Sequence, residues 1–372
     1  MSRDLNIVTL NVPYPPDYGG MIDSFYRIKW LNEAGVNIHL HCFQYGRPDS
    51  KELELLCKSV HYYTRKRNFY RLFSSLPFII SSRDSIHLLE NLKLNNYPIL
   101  FDGLHTTYYI NHPDLDDRKK FIRTHNIEHL YYNTLAGNER NLFKKLFYKR
   151  ESLKLRIYEE KIMDNVNVLT ISLRDNEYFK KTTKNTFIIP PLHPYAEVIS
   201  SPGKGSYVLS MEISQSGKFI NCRRTNKKVF SKNKSTTVLL LVKNPPASLH
   251  RYASRSLNVK IIADPDSARM DDLVRNAHIN ILPSFTANGF KLKYLIALYA
   301  GRFCILNNIA ANSFSKNAEF HIADSYSEMV NQIKNLMNEE FTIEMISRRM
   351  QILEKDLSNQ VNAKKIIDLI FK

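Results

Sequence analysis

A chain of 372 residues is too long for one ordinary hydrophobic core, so two domains are expected. Its 43% hydrophobic residues, with 21 Tyr and 20 Phe, exclude an intrinsically disordered protein, and no apolar run approaches the roughly 18–20 residues of a membrane-spanning helix. Lys and Arg number 53 against 36 Asp and Glu, a formal net charge of +17, which suits nucleic acid, an anionic membrane surface or an acidic small substrate, beside the plain alternative of solvated lysines.

In chain order, residues 5–10 (LNIVTL) read as a buried strand that runs into a Pro- and Gly-rich loop ending at Gly19 and Gly20. Ile22, Phe25, Tyr26, Trp30 and Leu31 then recur at helical spacing, and Gly35 is placed to end that helix. Residues 37–43 form a second strand, and strand–loop–helix–strand is the opening of a parallel sheet. Residues 98–102, 120–123 and 166–172 read as further strands. Residues 127–163 read as one long helical stretch, and a shorter helix lies near 175–181.

A second series starts near Tyr195, with strands at 207–210, 237–242, 259–263 and 279–282. Residues 217–234 are basic and polar without periodicity. A helix over 291–300, a strand over 303–306 and helices from 325 complete the half. The expected division is an N-terminal domain over 1–193 and a C-terminal domain over 194–354, with a last helix in about 355–372 returning to the first. Two such doubly wound domains are expected to face a cleft, with ligands at the carboxyl ends of the strands.

Cys42, Cys57, Cys222 and Cys304 are scattered, without a CxxC pair, so neither structural zinc nor a disulfide framework is expected. The start of the chain shows no signal-peptide pattern, and a cytoplasmic location is expected.

Several residues have the chemistry of an anion or sugar site. Gly19 and Gly20 allow backbone N–H groups to approach a diphosphate at a helix N-terminus, although a tight turn would use the same residues. The absence of GxGxxG argues against a nicotinamide dinucleotide. His125 follows the strand over 120–123, where active-site groups of open sheets gather. Glu128 lies one helical turn further on, where a cap or ion-pair role is favoured over the cleft. Lys291 and Lys293 lie where a loop after Pro283 and Ser284 leads into a helix. Cations there oppose the helix dipole, and a bound anion would relieve the conflict.

The segment 12–20 (VPYPPDYGG), the segment 123–128 (RTHNIE) followed by Tyr131 and Tyr132, and the segment 289–298 (GFKLKYLIAL) with Gly301 and Arg302 occur in the order found in GT-B glycosyltransferases. Together they resemble the family 4-like group, in a Bacteroidetes-type branch, over nearly the whole chain. The resemblance implies two Rossmann-like domains and transfer of a sugar from a nucleotide-diphosphate-sugar to a glycan or lipid-linked acceptor, in cell-surface polysaccharide or glycoconjugate synthesis. It implies contact of His125 with the transferred sugar as the catalytic group, and binding of the donor diphosphate by Gly19, Gly20, Lys291 and Lys293. Lys218, Asn288, Gly289 and Phe290 become further donor contacts, and Tyr18 and Glu128 acceptor contacts or their supports. Neither a metal nor a cofactor is expected, and retention of configuration is preferred.

Two departures stand out. Many retaining relatives carry Glu, seven residues, then Glu, where this chain has Asn288 and Ile296. The segment 210–217 (SMEISQSG) replaces a Gly-rich turn, leaving Lys218, or Arg223 and Arg224, as the basic group nearby. These losses motivate the alternative of an inactive GT-B binding or scaffold protein.

Two basic-aromatic segments remain. Arg65, Lys66 and Arg67 precede Phe69, Tyr70, Leu72 and Phe73. Lys144, Lys145, Lys149, Arg150, Lys154 and Arg156 accompany Leu142, Phe143, Leu146, Phe147 and Tyr148. They suit a peripheral position on the inner membrane face, or an ordinary helix with its apolar side in the core. No nucleic-acid-binding motif accompanies them, so nucleic acid is not an expected partner.

Overall fold

A computed structural model describes residues 2–163, 166–212, 236–242, 244–284, 292–311 and 320–372. The chain divides into two compact units.

The first unit holds Met1–Pro194 and Leu357–Lys372. Its strands are β1 (Asp4–Thr9), β2 (Asn37–Gln44), β3 (Ser59–Thr64), β4 (Ile99–Asp102), β5 (Lys120–Arg123), β6 (Asn167–Thr170) and β7 (Thr186–Ile188). They form one parallel sheet in the order β3-β2-β1-β4-β5-β6-β7. Its helices are α1 (Gly19–Glu33), α2 (Lys51–Leu56), α3 (Phe78–Ser81), α4 (Ile86–Lys93), α5 (Glu128–Asn138), α6 (Leu142–Ile162) and α7 (Leu173–Phe179).

Strand residues alternate between two apolar layers, as a sheet covered on both faces requires. Leu5, Ile7, Leu40 and Leu100 pack with Phe25, Ile28 and Leu31 of α1, whereas Val8, Phe101, Ile122 and Val168 pack on the other face with Leu88 and Leu92 of α4. The helix α1 ends where Gly35 takes φ +82°. The stretch read as one helix over 127–163 is two. Glu139 leaves α5 in an extended conformation, and the Asn141 side chain accepts from Lys144 N to start α6.

The second unit holds Tyr195–Ala287 and Lys291–Asp356. Its strands β8 (Val208–Glu212), β9 (Val238–Val242), β10 (Val259–Ala263), β11 (Ile279–Ile281), β12 (Phe303–Leu306) and β13 (His321–Ile322) form a parallel sheet in the order β10-β9-β8-β11-β12-β13. Around it lie α8 (Ala247–Ala253), α9 (Ser267–Asn276), α10 (Leu292–Ala300), α11 (Asn308–Ala311), α12 (Tyr326–Leu336) and α13 (Ile343–Asp356).

Gly301 joins α10 to β12 at a close approach. A Cβ there would lie 2.4 Å from Asn280 Nδ2 and 2.7 Å from Ala297 O. The neighbouring Arg302 donates from Nη1 to Arg275 O at 2.5 Å and Ala277 O at 3.2 Å. Both residues therefore serve the scaffold of this unit.

The final helix, α14 (Asn359–Phe371), belongs to the first unit. Its Ala363, Ile366, Ile367 and Ile370 enter the α1-side core, and Asn359 donates from Nδ2 to His193 O at 2.9 Å. Among the described residues, Cys42, Cys57 and Cys304 are buried free thiols. Cys222 and the stretch 217–234 lie outside the described residues.

Candidate active site

In each sheet the strand order reverses once, between β1 and β4 in the first unit and between β8 and β11 in the second. Open parallel sheets bind ligands beyond the strand carboxyl ends at that point.

In the first unit, charged residues end both β4 and β5. Asp102 and Arg123 are paired across the two strands, and both are fully buried. Their charges are matched by an acid and a base on α1. Arg27 donates to Asp23 Oδ2 at 2.7 Å and to Asp102 Oδ1 at 2.6 Å. Arg123 grips Asp23 with two bonds, Nε to Oδ2 and Nη2 to Oδ1, each 3.0 Å. The remaining guanidinium hydrogens of Arg123 reach Ile189 O at 2.5 Å and Thr170 O at 3.4 Å, and Leu192 N donates to Asp23 Oδ1 at 2.9 Å. This alternation of two acids and two guanidiniums satisfies charges that burial alone would penalise heavily. Burial pushes both carboxyls up, yet the guanidiniums beside them win. Arg27, His125 and Ser24 hold Asp102 well below the usual carboxylate range, and Arg123 and Arg27 lower Asp23.

His125 stands at the open rim of this network. Its Nε2 lies 2.8 Å from Asp102 Oδ1 and its Nδ1 3.8 Å from Asp23 Oδ2, with the side chain 13% exposed. The ring is thus oriented by a carboxylate that is itself fixed by Arg27 and by the Ser24 hydroxyl, which donates to Asp102 Oδ2. Gly103 follows Asp102 with φ +82°, and a Cβ there would meet His105 Nδ1 at 3.1 Å and His125 Cδ2 at 3.8 Å. A glycine therefore gives the imidazoles room.

The glycines lie on the same rim. Gly19 and Gly20 are the first two residues of α1 rather than a loop before it, with Tyr18 as N-cap and no capping side chain. The same Ser24 hydroxyl lies 2.8 Å from Gly20 O, one helical turn before it on α1. Tyr18 is 44% exposed, with the Arg47 guanidinium 5.2 Å from its ring centre.

Beyond them lies a second buried group. Arg83 donates to Leu10 O at 3.0 Å and Ile79 O at 2.6 Å, and burial draws its pKa down to about 9. Burial and Arg83 push His105 well below its ordinary range, and its Nδ1 has no hydrogen-bond partner. Glu128, in the first turn of α5, is buried, and burial with nearby Glu159 raises it to about 8.

In the second unit, Lys293 in the first turn of α10 donates to Met211 O at 3.0 Å, beside the carboxyl end of β8. Ser284, after β11, is tied to Asn307 through its N–H at 2.9 Å and its carbonyl at 2.8 Å. Lys218, Asn288, Gly289, Phe290 and Lys291 lie outside the described residues, as do Arg223 and Arg224. Ile296 sits within α10.

The network of Asp23, Arg27, Asp102 and Arg123 was not singled out from the sequence. Its trace is there nonetheless: strands reading ILFD and KFIR each end on a charge, and Asp23 and Arg27 interrupt the apolar spacing of α1 at i and i+4. Asp23, Asp102 and His125 offer ligand atoms within 4.8 Å of one another, a spacing open to a metal ion. Arg27 and Arg123 already neutralise both carboxylates, so a divalent cation would add uncompensated positive charge to a buried position.

No protein-family model matches the sequence. A curated relative, an uncharacterized 44.6 kDa protein in the cps region of Klebsiella pneumoniae, is 26% identical over 199 residues, 51% of this chain and 50% of that protein. The match thus spans about half the length of that relative. Among solved structures, a point mutant of S. aureus TarM, in complex with Fondaparinux, α-GlcNAc-glycerol and UDP, matches with TM-score 0.66 at 10% identity, covering 100% of both chains. WaaG, a glycosyltransferase involved in lipopolysaccharide biosynthesis, matches with TM-score 0.64 at 11% identity over 99% of each chain. Sucrose-phosphate synthase of Thermosynechococcus elongatus matches with TM-score 0.59 at 12% identity, covering 100% of this chain and 95% of that one. The likeness shows the fold, which is the α/β GT-B fold read from the sequence.

Proposed function

We propose that the protein is a glycosyltransferase that moves a sugar from a nucleotide-diphosphate-sugar to a glycan or lipid-linked acceptor in the synthesis of a cell-surface polysaccharide or glycoconjugate. The observation that carries this reading is His125, held by Asp102 at the strand-order reversal of a GT-B-fold sheet. Support for the donor class comes from TarM and from Arabidopsis thaliana UGT89C1, whose structures contain UDP and, for the latter, UDP-L-rhamnose. Support for the pathway class comes from WaaG and from the cps region of the Klebsiella relative.

In this reading His125 contacts the transferred sugar and stabilises the charge that develops there, while Asp102 fixes the ring. Lys291 and Lys293 neutralise the diphosphate as it leaves, and Gly19 and Gly20 offer N–H groups at the start of α1. Lys218, Asn288, Gly289 and Phe290 complete donor binding, and Tyr18 lies toward the acceptor. Glu128 supports the site from below as a hydrogen-bonding group. The reaction needs no metal, because cationic side chains stabilise the leaving group, and it proceeds with retention of configuration.

Calorimetry with nucleoside diphosphates tests the donor assignment. One of UDP, GDP, ADP or TDP binds to the wild-type protein, and Lys293→Ala or Lys291→Ala weakens it about tenfold or more. Unchanged affinity in both variants removes the lysines from the site, and binding without turnover of any matching nucleotide-sugar would make the protein an inactive binder.

A further inference from the structure

The helix α6 buries Leu155 and Ile162 against the first unit but leaves a second apolar stripe exposed. Leu142, Leu146, Leu153 and Ile157 recur every fourth or seventh residue and so lie along one side. They are 78%, 67%, 60% and 60% exposed, and Phe143 beside them is 86% exposed. The residues this helix buries include two carboxylates: Glu151, which accepts from Phe78 N at 2.5 Å, and Glu159, which accepts from Tyr178 Oη at 2.7 Å. The leucine stripe is therefore a surface feature rather than part of the core.

Its borders are cationic. Lys149 and Arg150 are exposed, and Lys145 and Arg156 flank the stripe. No acid occupies the first turn, so Lys144 and Lys145 oppose the helix dipole, with Glu139 near Lys144 as a partial relief. Exposed Glu160 is matched by Arg156 at 3.1 Å.

A second apolar element adjoins the helix. Lys154 Nζ donates to Leu72 O at 3.4 Å, tying α6 to the turn Phe69–Phe73. Phe69, Tyr70 and Phe73 are 73%, 63% and 65% exposed. Tyr70 and Phe73 border an open hollow of about 370 Å3 instead of packing inward. Arg65 and Arg67 lie over the Tyr45 ring at 4.7 and 5.3 Å, and Lys66 is paired with Asp84 at 3.0 Å.

We propose that α6 and the Phe69–Phe73 turn form one docking face for an anionic lipid bilayer, with the leucines and phenylalanines entering the headgroup boundary and Lys145, Lys149, Arg150 and Arg67 meeting the lipid phosphates. A helix of 21 residues is about 31 Å long and lies in the bilayer plane on this side. Charge selects this occupant over a second copy of the chain. Two copies laid along the stripe would bring the same lysines and arginines together, whereas an anionic surface neutralises them. Nucleic acid would meet the cations and leave Leu142, Leu146, Leu153 and Ile157 in water. The proposal rests on this face alone and is independent of the sugar-transfer reading.

Co-sedimentation of the whole chain with vesicles tests it. One set is phosphatidylcholine alone and the other phosphatidylcholine containing phosphatidylglycerol. The protein binds the anionic vesicles and not the neutral ones. The apolar variant Leu146→Gln with Leu153→Gln and Ile157→Gln, and the charge variant Lys149→Gln with Arg150→Gln, each lose about tenfold or more in affinity. Both variants keep the wild-type melting temperature, since these side chains are exposed. The proposal is overturned if the apolar variant binds anionic vesicles as well as the wild type, or if duplex DNA displaces the wild-type protein from them at the same salt. A dimer that the apolar variant dissolves, in a wild type that ignores vesicles, overturns it as well.

Discussion

Asp23, Arg27, Asp102 and Arg123 are fully or almost fully buried and depend on one another for charge compensation. Removing one partner of such a buried pair leaves the other uncompensated, so Asp102→Ala is expected to cost about 3–5 kcal/mol of stability by urea denaturation. The folded-state carboxyls of Asp23 and Asp102 are depressed, so their stabilisation is present above the unfolded carboxylate range and is lost as pH falls below it. Glu128 has the opposite sign. Its pKa is raised to about 8, so between the ordinary glutamate range and pH 8 the folded protein holds a proton that the unfolded chain has released, and stability falls as pH rises. Glu128→Gln is expected to remove that fall, read as the difference between wild-type and variant denaturation midpoints at about pH 5.5 and pH 8. His125 was legible in the sequence because it follows a short apolar strand. Its carboxylate and the arginines behind it were not, because ion pairs joining residues as distant as Asp23 and Arg123 leave no local periodicity to read.

At the scale of elements, ten of the thirteen described strands and the first βαβ unit follow from apolar runs and from Gly35, whereas β3, β7 and β13, which lack a clear apolar run, were not expected. The helical stretch over 127–163 did not reveal its break, because Glu139, Arg140 and Asn141 interrupt the pattern by polarity alone, without Pro or Gly. Nor did helical spacing in α6 tell which side is buried. A strip of leucines reads as a core face until the structure shows Leu142, Leu146, Leu153 and Ile157 outside, with Leu155 and Ile162 buried beside Glu151 and Glu159. The helix α14 is the converse, with an apolar side wholly engaged against the α1 layer. Ile366→Ala on α14 is expected to destabilise the protein by about 2–5 kcal/mol, as for other fully buried aliphatic truncations, and Leu153→Ala on α6 by far less. Thermal or chemical denaturation of the two variants separates the buried helix side from the exposed one.

At the scale of the molecule, two parallel sheets with the same pattern of strand-order reversal place candidate groups at matching positions. His125 and Asp102 lie at the reversal of one sheet, and Lys293 reaches the carboxyl end of β8 at the reversal of the other. With Asn288 and Ile296 where the resemblance implies a Glu pair, the proposed chemistry rests on the His125–Asp102 pair. The most direct test is turnover: release of nucleoside diphosphate from a panel of nucleotide-sugars, supplied with lipid-linked and free glycan acceptors, by the wild type, His125→Ala and Asp102→Asn. The account predicts release from at least one donor, reduced about 100-fold or more by His125→Ala and substantially by Asp102→Asn, with nucleotide affinity retained. Turnover that survives His125→Ala at the wild-type rate would contradict it.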